Sequence, residues 1–374
     1  MRDLKWALVV VLTVLVQLVS ENRLQAQSTG FDKPSDKAPS DKAPSDKAPS
    51  EKEQTQLRFE LSVPSMGSHV DFVVYAPSQA EAKNVIDAGL AEIERLSTIL
   101  SNYDPDSEIS KLCSTPKGVW TPLSPDLAAV LQHSRRWHQL SAGKFDITVG
   151  PLTQLWRAHR KKKQLPSSTL IEDAKGRCGW SSVNLAFPST SESTMQPTRI
   201  SLLKDQMVLD LSGIAVGYII DAAFEKMRIA GSRSILINAG GDIRVGDAPP
   251  GAKGWRIAIA GLGKESPPLS MIQLKNCAVT TSGDLNQFVE IDGRRYSHFI
   301  DPESGDPIER RQSVTVIAET TVDADAGATA LAVLGMRPAS ELFDAMPIAK
   351  AVLVETGLAD GPVRVRWLEK QGQP

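Results

Sequence analysis

Thr320–Gly335, TTVDADAGATALAVLG, carries the densest pattern in the chain. From Asp323 onward it reads as a helix: Ala326, Ala330, Val333 and Leu334 recur at helical spacing, and Gly335 stands where a C-terminal cap belongs. Asp325 and Thr329 are four residues apart, so their side chains stack on one face. A carboxylate and a hydroxyl one turn apart among alanines can hold a hard cation and leave positions open for phosphate oxygens. The same residues admit an ordinary reading. An Asp near a helix start caps it, and a mid-helix Thr bonds back to the preceding turn.

The chain around this helix is rich in strands. Leu57–Val63 and His69–Ala76 alternate apolar and polar residues across a turn at 64–68. Ser78-Gln79-Ala80-Glu81 is a capping box that opens a helix striped by Val85, Ile86, Leu90, Ile93, Leu96 and Leu100. Ser124-Pro125 starts a second helix that runs to about Leu140. SNYDPDSEISKL between the two helices reads as a polar turn, and KFDITVGPL (Lys144–Leu152) as a short extended segment. The TQLWRAHRKKK that follows reads as a helix with a solvated basic end. Arg199–Leu203 and Met207–Leu211 are expected to form a hairpin, and Gly213 to open a helix to about Ala230. Further strands are expected at Ser234–Asn238, Asp242–Gly246, Trp255–Ala260, Met271–Leu274, Gln287–Ile291, Arg295–Ile300, Ser313–Ile317, Lys350–Glu355 and Val363–Trp367. Asp292-Gly293 signals a two-residue hairpin turn. Hairpins interrupted by helices predict an α+β fold, largely antiparallel sheet flanked by helices. No GxGxxG follows a strand, which excludes a Rossmann reading.

Composition narrows the functional class. With 374 residues, 41% apolar, the chain can bury a real core, and a net charge of −2 gives no nucleic-acid footprint. Cys113, Cys178 and Cys277 allow at most one intramolecular disulfide and no metal knuckle. Arg2 and Lys5 precede an apolar run from Trp6 to Val19 that fits a signal-peptide core, with Leu24-Gln25-Ala26 as the cleavage site. Residues 1–26 are therefore expected to export the chain to a periplasmic or other extracytoplasmic space, and an uncleaved segment would tether it to a membrane. Repeats of PSDKA run from Pro34 to Glu51 within residues 27–56, a solvated linker, and the folded region is expected over 57–374.

Three loops gather functional residue types. In INAGGDI (Ile237–Ile243), Gly240 and Gly241 beside Asn238 either let backbone amides approach an anion or form a tight hairpin turn. DLSGIAVG (Asp210–Gly217) offers free amides and the carbonyl of Gly213 at a strand-to-helix junction. YSHFIDP (Tyr296–Pro302) places His298, a candidate general base, among hydroxyl and acidic neighbours.

MGS (Met66–Ser68), SNYDPDSEIS, FDITVGPL, DLSGIAVGY, INAGGDI, TTSGD (Thr280–Asp284), YSHFIDPESG and VDADAGATALAVLG occur in that order. Together they resemble the ApbE family of FAD:protein FMN transferases, from about Met66 to Gly335. The resemblance implies an exported, magnesium-dependent enzyme that cleaves FAD, transfers FMN onto a Ser or Thr of an exported acceptor protein, and releases AMP. It implies Asp325, Thr329 and the Gly213 carbonyl as metal ligands and His298 as the base. It implies FAD contacts at Met66, Tyr103, Lys144, Phe145, Asp146, Asp210, Val216 and Phe299. Two positions depart from the family pattern: Val216 stands where a Lys or Glu is common, and DLNQF follows Gly283 where an aromatic and a basic residue are usual. An FAD pyrophosphatase using water as acceptor, or a non-catalytic flavin-binding protein, are the alternatives.

Overall fold

Met66 and Gly67 both take positive φ, 49° and 73°, which closes the two-residue turn between Leu57–Ser65 (β1) and Ser68–Ala76 (β2). The computed structural model describes residues 56–188, 196–262, 267–284, 287–356 and 361–370. The expected signal segment and all but the last residue of the repeat linker lie outside the described residues. Beyond β2 come Ile235–Ala239 (β3), Asp242–Val245 (β4), Cys277–Gly283 (β5), Gln312–Ala318 (β6), Lys350–Glu355 (β7) and Arg364–Glu369 (β8). These eight strands form one antiparallel sheet in which neighbours in space are neighbours in this order. The fold is α+β, as the hairpin pattern predicts.

The two faces of the sheet are separated by the period of two along each strand. Ile235, Ile237 and Ala239 of β3 face the main core, whereas Leu236 faces the other side with Ile243, Val245 and Trp255. Helices cover the first face: Gln79–Leu100 (α1), Pro125–Leu140 (α2), Ala215–Ile229 (α4) and Thr321–Leu334 (α5), whereas Gly150–Lys162 (α3) packs through Leu152 and Trp156 in a separate cluster with Val289, Ile291, Tyr296 and Ile300. The hairpin of Trp255–Ile259 with Ser270–Leu274 covers the second. Among the described residues no helix is long and apolar enough to cross a membrane.

Local chemistry sets the helix ends. Ser78 accepts from the Glu81 amide, Ser124 from that of Leu127, and Thr320 from that of Asp323. Gly335, at φ 76°, ends α5 as its position predicts. α5 is buried nearly all round, and its alanines and Gly327 let neighbours come close. A Cβ on Gly327 would meet Ile348 Cδ1 at 2.9 Å and Trp137 Cη2 at 3.0 Å. Trp137 is fully buried, and its indole N–H donates to Asp323 Oδ1 at 2.9 Å.

Three sequence readings need correction. KFDITVGPL is not extended: Asp146 caps a 3-10 turn over Ile147–Val149, and α3 begins at Gly150. Gly150 is required there because a Cβ would lie 2.3 Å from the Val208 carbonyl. Met207–Leu211 forms no strand. It is a buried irregular segment, its backbone held by Asn102, which donates to Leu209 O and accepts from Leu211 N. The Arg199–Leu202 strand pairs instead with Val183–Ala186 and Thr121–Pro122. The polar turn after α1 contains a short helix, Glu108–Cys113, capped by Ser107. Cys113, Cys178 and Cys277 are unpaired and half-buried.

α4 crosses α5 at close range. A Cβ on Gly217 would lie 2.6 Å from the Thr321 carbonyl oxygen and 2.8 Å from Val322 Cα, both backbone atoms that cannot rotate away. Gly217→Ala therefore overpacks the crossing, at about 1–3 kcal/mol, against a helix-propensity gain of at most about 1 kcal/mol. The expected outcome is a melting temperature lowered by a few degrees. A variant that melts at or above the wild type would show that this contact does not constrain the crossing.

Candidate active site

The α4–α5 crossing assembles the oxygens singled out in the sequence. The Gly217 amide, in the first turn of α4, donates to Asp325 Oδ2 at 3.1 Å. In return Asp221 of α4 accepts from Thr321 N, Thr321 Oγ1 and Val322 N at the start of α5. Each helix thus stabilises the N-terminus of the other with a carboxylate. Gly213 precedes α4, and a Cβ there would lie 3.0 Å from Thr329 Oγ1 and 3.4 Å from a Phe145 ring carbon. Gly213, Asp325, Thr329 and Phe145 therefore meet at one place.

The charge there is not balanced by the protein. Burial raises the Asp325 carboxyl well above the usual range, and the neighbouring charge of Asp242 raises it further. Burial likewise pushes Asp242 up to about 6. Arg244 pairs with Asp221 at 3.6 Å, whereas among the described residues neither Asp325 nor Asp242 has a Lys or Arg partner. Two desolvated carboxylates without a cation are costly. Asp325, the Thr329 hydroxyl and the Gly213 carbonyl offer an all-oxygen donor set, which fits a hard cation such as magnesium. No group of three or more His, Cys, Asp or Glu capable of holding a metal occurs among the described residues. Asp242 is absent from the sequence-based set because its proximity to Asp325 comes from parts of the chain some eighty residues apart.

His298 lies just past the strand Arg294–Ser297, with Nδ1 3.2 Å from the Gln287 carbonyl. Burial, followed by the charge of Arg160, pushes its imidazole down to about 4, so the ring is neutral at neutral pH. Beside it Asp284 is fully buried, accepting from Arg295 Nε at 2.9 Å and from the Gln312 amide at 3.0 Å. Phe299 is buried against the His298 ring.

Lys144 and Phe145 join the two ends. Lys144 Nζ reaches Asp301 at 2.9 Å and Glu303 at 2.8 Å, in the loop after His298, while Phe145 packs beside Gly213 and Thr329. Asp146 accepts from the Thr148 amide, and Asp210 from that of Ser212. Val216 is half-buried in the first turn of α4.

The remaining predicted contacts are two β-turns and Tyr103. Gly240 and Gly241, at φ 64° and 111°, form the tight β3–β4 turn, and the Gly241 amide donates to Asn238 Oδ1. Asn238 also donates to Asp71, so the hairpin reading of that loop is the one observed. Met66 sits in the adjacent β1–β2 turn, since Ser68 is the nearest side chain to Gly240. Tyr103 is 74% exposed, with the Arg157 guanidinium 5.1 Å from its ring centre.

A family model, the ApbE family, matches residues 66–353. The chain is 30% identical over 308 residues to the FAD:protein FMN transferase of Haemophilus influenzae, covering 79% of this chain and 86% of that protein. It is 31% identical over 288 residues to the protein of the same name from Escherichia coli K12, covering 75% and 79%. The apo structure of the Pseudomonas stutzeri flavinyl transferase ApbE superposes with a TM-score of 0.71 at 27% identity, over 84% of this chain and 95% of that one. The flavin transferase ApbE from Vibrio cholerae gives 0.71 at 26% identity, over 83% and 97%. With the eight-stranded sheet and the Asp325–Thr329 helix in place, these matches show that the chain belongs to the ApbE family and is an enzyme of the flavin-transferase type.

Proposed function

We propose that the region from Leu57 onward transfers FMN from FAD to a Ser or Thr hydroxyl of an exported acceptor protein and releases AMP. The observation that carries this reading is the uncompensated Asp325–Asp242 pair, set with Thr329 and Gly213 and linked through Lys144-Phe145 to the loop bearing His298. The basic and apolar residues 2–19 support export.

Asp325, Thr329 and the Gly213 carbonyl would hold magnesium. Bound there, magnesium supplies charge neutralisation for pyrophosphate oxygens. The acceptor oxygen attacks the phosphorus of the FMN half. The bond to the bridging oxygen breaks, and AMP leaves with the electron pair. The hydroxyl proton passes to His298. Its Nδ1 faces the Gln287 carbonyl, so the tautomer that donates there leaves the Nε2 lone pair free to accept it. His298 is neutral before substrate arrives, and the negative charge of bound phosphates raises its basicity when the proton must be taken. Burial of Phe145 and Phe299 keeps water from their side of the centre.

Asp325→Asn removes a buried charge while keeping an oxygen for the Gly217 amide. Without metal it is expected to melt at or above the wild type. Magnesium should raise the melting temperature of the wild type but not of the variant, and the variant should lose transfer. A wild-type magnesium shift in Asp325→Asn would overturn the metal assignment.

His298→Ala is expected to slow transfer by about 10²–10⁴-fold with FAD affinity retained, because a base acts on a proton that moves only in the transition state. Normal turnover at saturating FAD would assign His298 a structural role instead.

The reaction itself is tested by incubating the protein with FAD, magnesium and candidate exported acceptors. Covalent flavin on the acceptor is expected, with AMP released in equal amount. If FMN and AMP form equally fast with and without acceptor and no acceptor gains flavin, the enzyme is a pyrophosphatase.

A further inference from the structure

The basic end of α3, which the sequence marks as a solvated helix terminus, does not lie clear of the site. Trp156 anchors that helix to the His298 strand: its ring stacks on Tyr296 at 5.9 Å, and its N–H donates to the Gly305 carbonyl at 2.9 Å. Arg160 is one turn beyond Trp156 on the same side of the helix. Arg157, three residues before Arg160, lies over the exposed ring of Tyr103. Both arginines are half-buried, and among the described residues neither donates to a carboxylate or a carbonyl. This contrasts with the neighbouring Lys144, Arg295 and Arg294, each of which has an acidic partner. Arg160 is held below its ordinary basicity by burial and then by the like charge of Arg157. Two guanidiniums a turn apart, desolvated and mutually repelling, lower the stability of the empty protein. Such an arrangement is relieved by an anion that presents several oxygens to planar donors.

We propose that Arg157, over the Tyr103 ring, and Arg160, one turn beyond the Trp156 contact with the His298 strand, form a clamp for the phosphate oxygens of FAD. This rests on the flavin-transferase reading and adds positioning residues that sequence patterning assigns to solvent. The clamp approaches the pyrophosphate from α3, whereas the carboxylates act from the α4–α5 crossing. Arg160 would also lower the basicity of His298 until the phosphates neutralise it.

The test is a titration of the full chain with FAD and with riboflavin, which shares the ring system but has no phosphate. Arg160→Gln is expected to weaken FAD binding by tenfold or more and to leave riboflavin binding unchanged. Arg160→Lys should recover part of the loss. Without ligand, Arg160→Gln should melt no lower than the wild type, because it removes an unpaired cation; a structural arginine would lower the melting temperature. Should Arg160→Gln fold poorly, Arg157→Gln is expected to give the same selective loss, several-fold in size. FAD affinity within twofold of wild type, equal losses for FAD and riboflavin, or an effect confined to the acceptor's KM would each overturn the clamp. Transfer to an acceptor separates the two claims. A wild type that transfers flavin while Arg160→Gln binds FAD normally leaves the function standing without the clamp. A wild type that binds FAD through Arg160 but labels no acceptor leaves the clamp standing without the transferase.

Discussion

The crossing of α4 over α5 depends on two carboxylates that serve opposite helices. Asp221 receives two amides and a hydroxyl from the start of α5, and Arg244 lies 3.6 Å away. Asp325 receives one amide from the start of α4. Hydrogen bonds to a charged group contribute about 1.5–3 kcal/mol each, while removing a carboxylate from water costs several kcal/mol even after relaxation. Asp221 is thus compensated in part by the protein, although burial still raises its carboxyl, and Asp325 has only the one amide against burial and the charge of Asp242. The fold supplies the close approach through Gly217, and the imbalance it leaves behind is what makes the crossing a site and more than a packing contact.

The two chemical tasks fall on different elements, the α4–α5 crossing and the segment just past the Arg294–Ser297 strand, and one dipeptide couples them. Lys144 and Phe145 sit in a short segment pinned by Asp146 and Gly150, with little freedom to shift. A displacement there would move the loop after His298 through Lys144 and the Gly213–Thr329 contact through Phe145. Reacting groups held on a common rigid element keep their separation more closely than groups on independent loops.

Much of this was legible in the sequence, and the parts that were not have identifiable causes. The α5 helix, its Gly335 cap, the Ser78 capping box and the Asp292-Gly293 turn follow from local spacing, and all are observed. KFDITVGPL looks extended because Ile147, Val149 and Thr148 are β-branched, yet the Asp146 side chain and the contact of Gly150 with Val208 impose a 3-10 turn. Met207–Leu211 has the apolar content of a strand, but its backbone partners, Asn102 and Cys113, lie about a hundred positions away and cannot be inferred locally. β5 escapes notice because its TTSG end is small and polar, although it is central in the sheet. Asp242 and Arg160 gain their meaning from neighbours distant in the chain, which periodicity does not report.

The three cysteines bear on how this protein tolerates an oxidant. Burial pushes the thiols of Cys113, Cys178 and Cys277 up to about 11. At neutral pH that leaves roughly one thiol in ten thousand as the reactive thiolate. Disulfide exchange begins from the thiolate, so none of the three readily initiates it, and wrong pairings between them form slowly. The folded structure joins none of the three to another, so the fold rests on no disulfide.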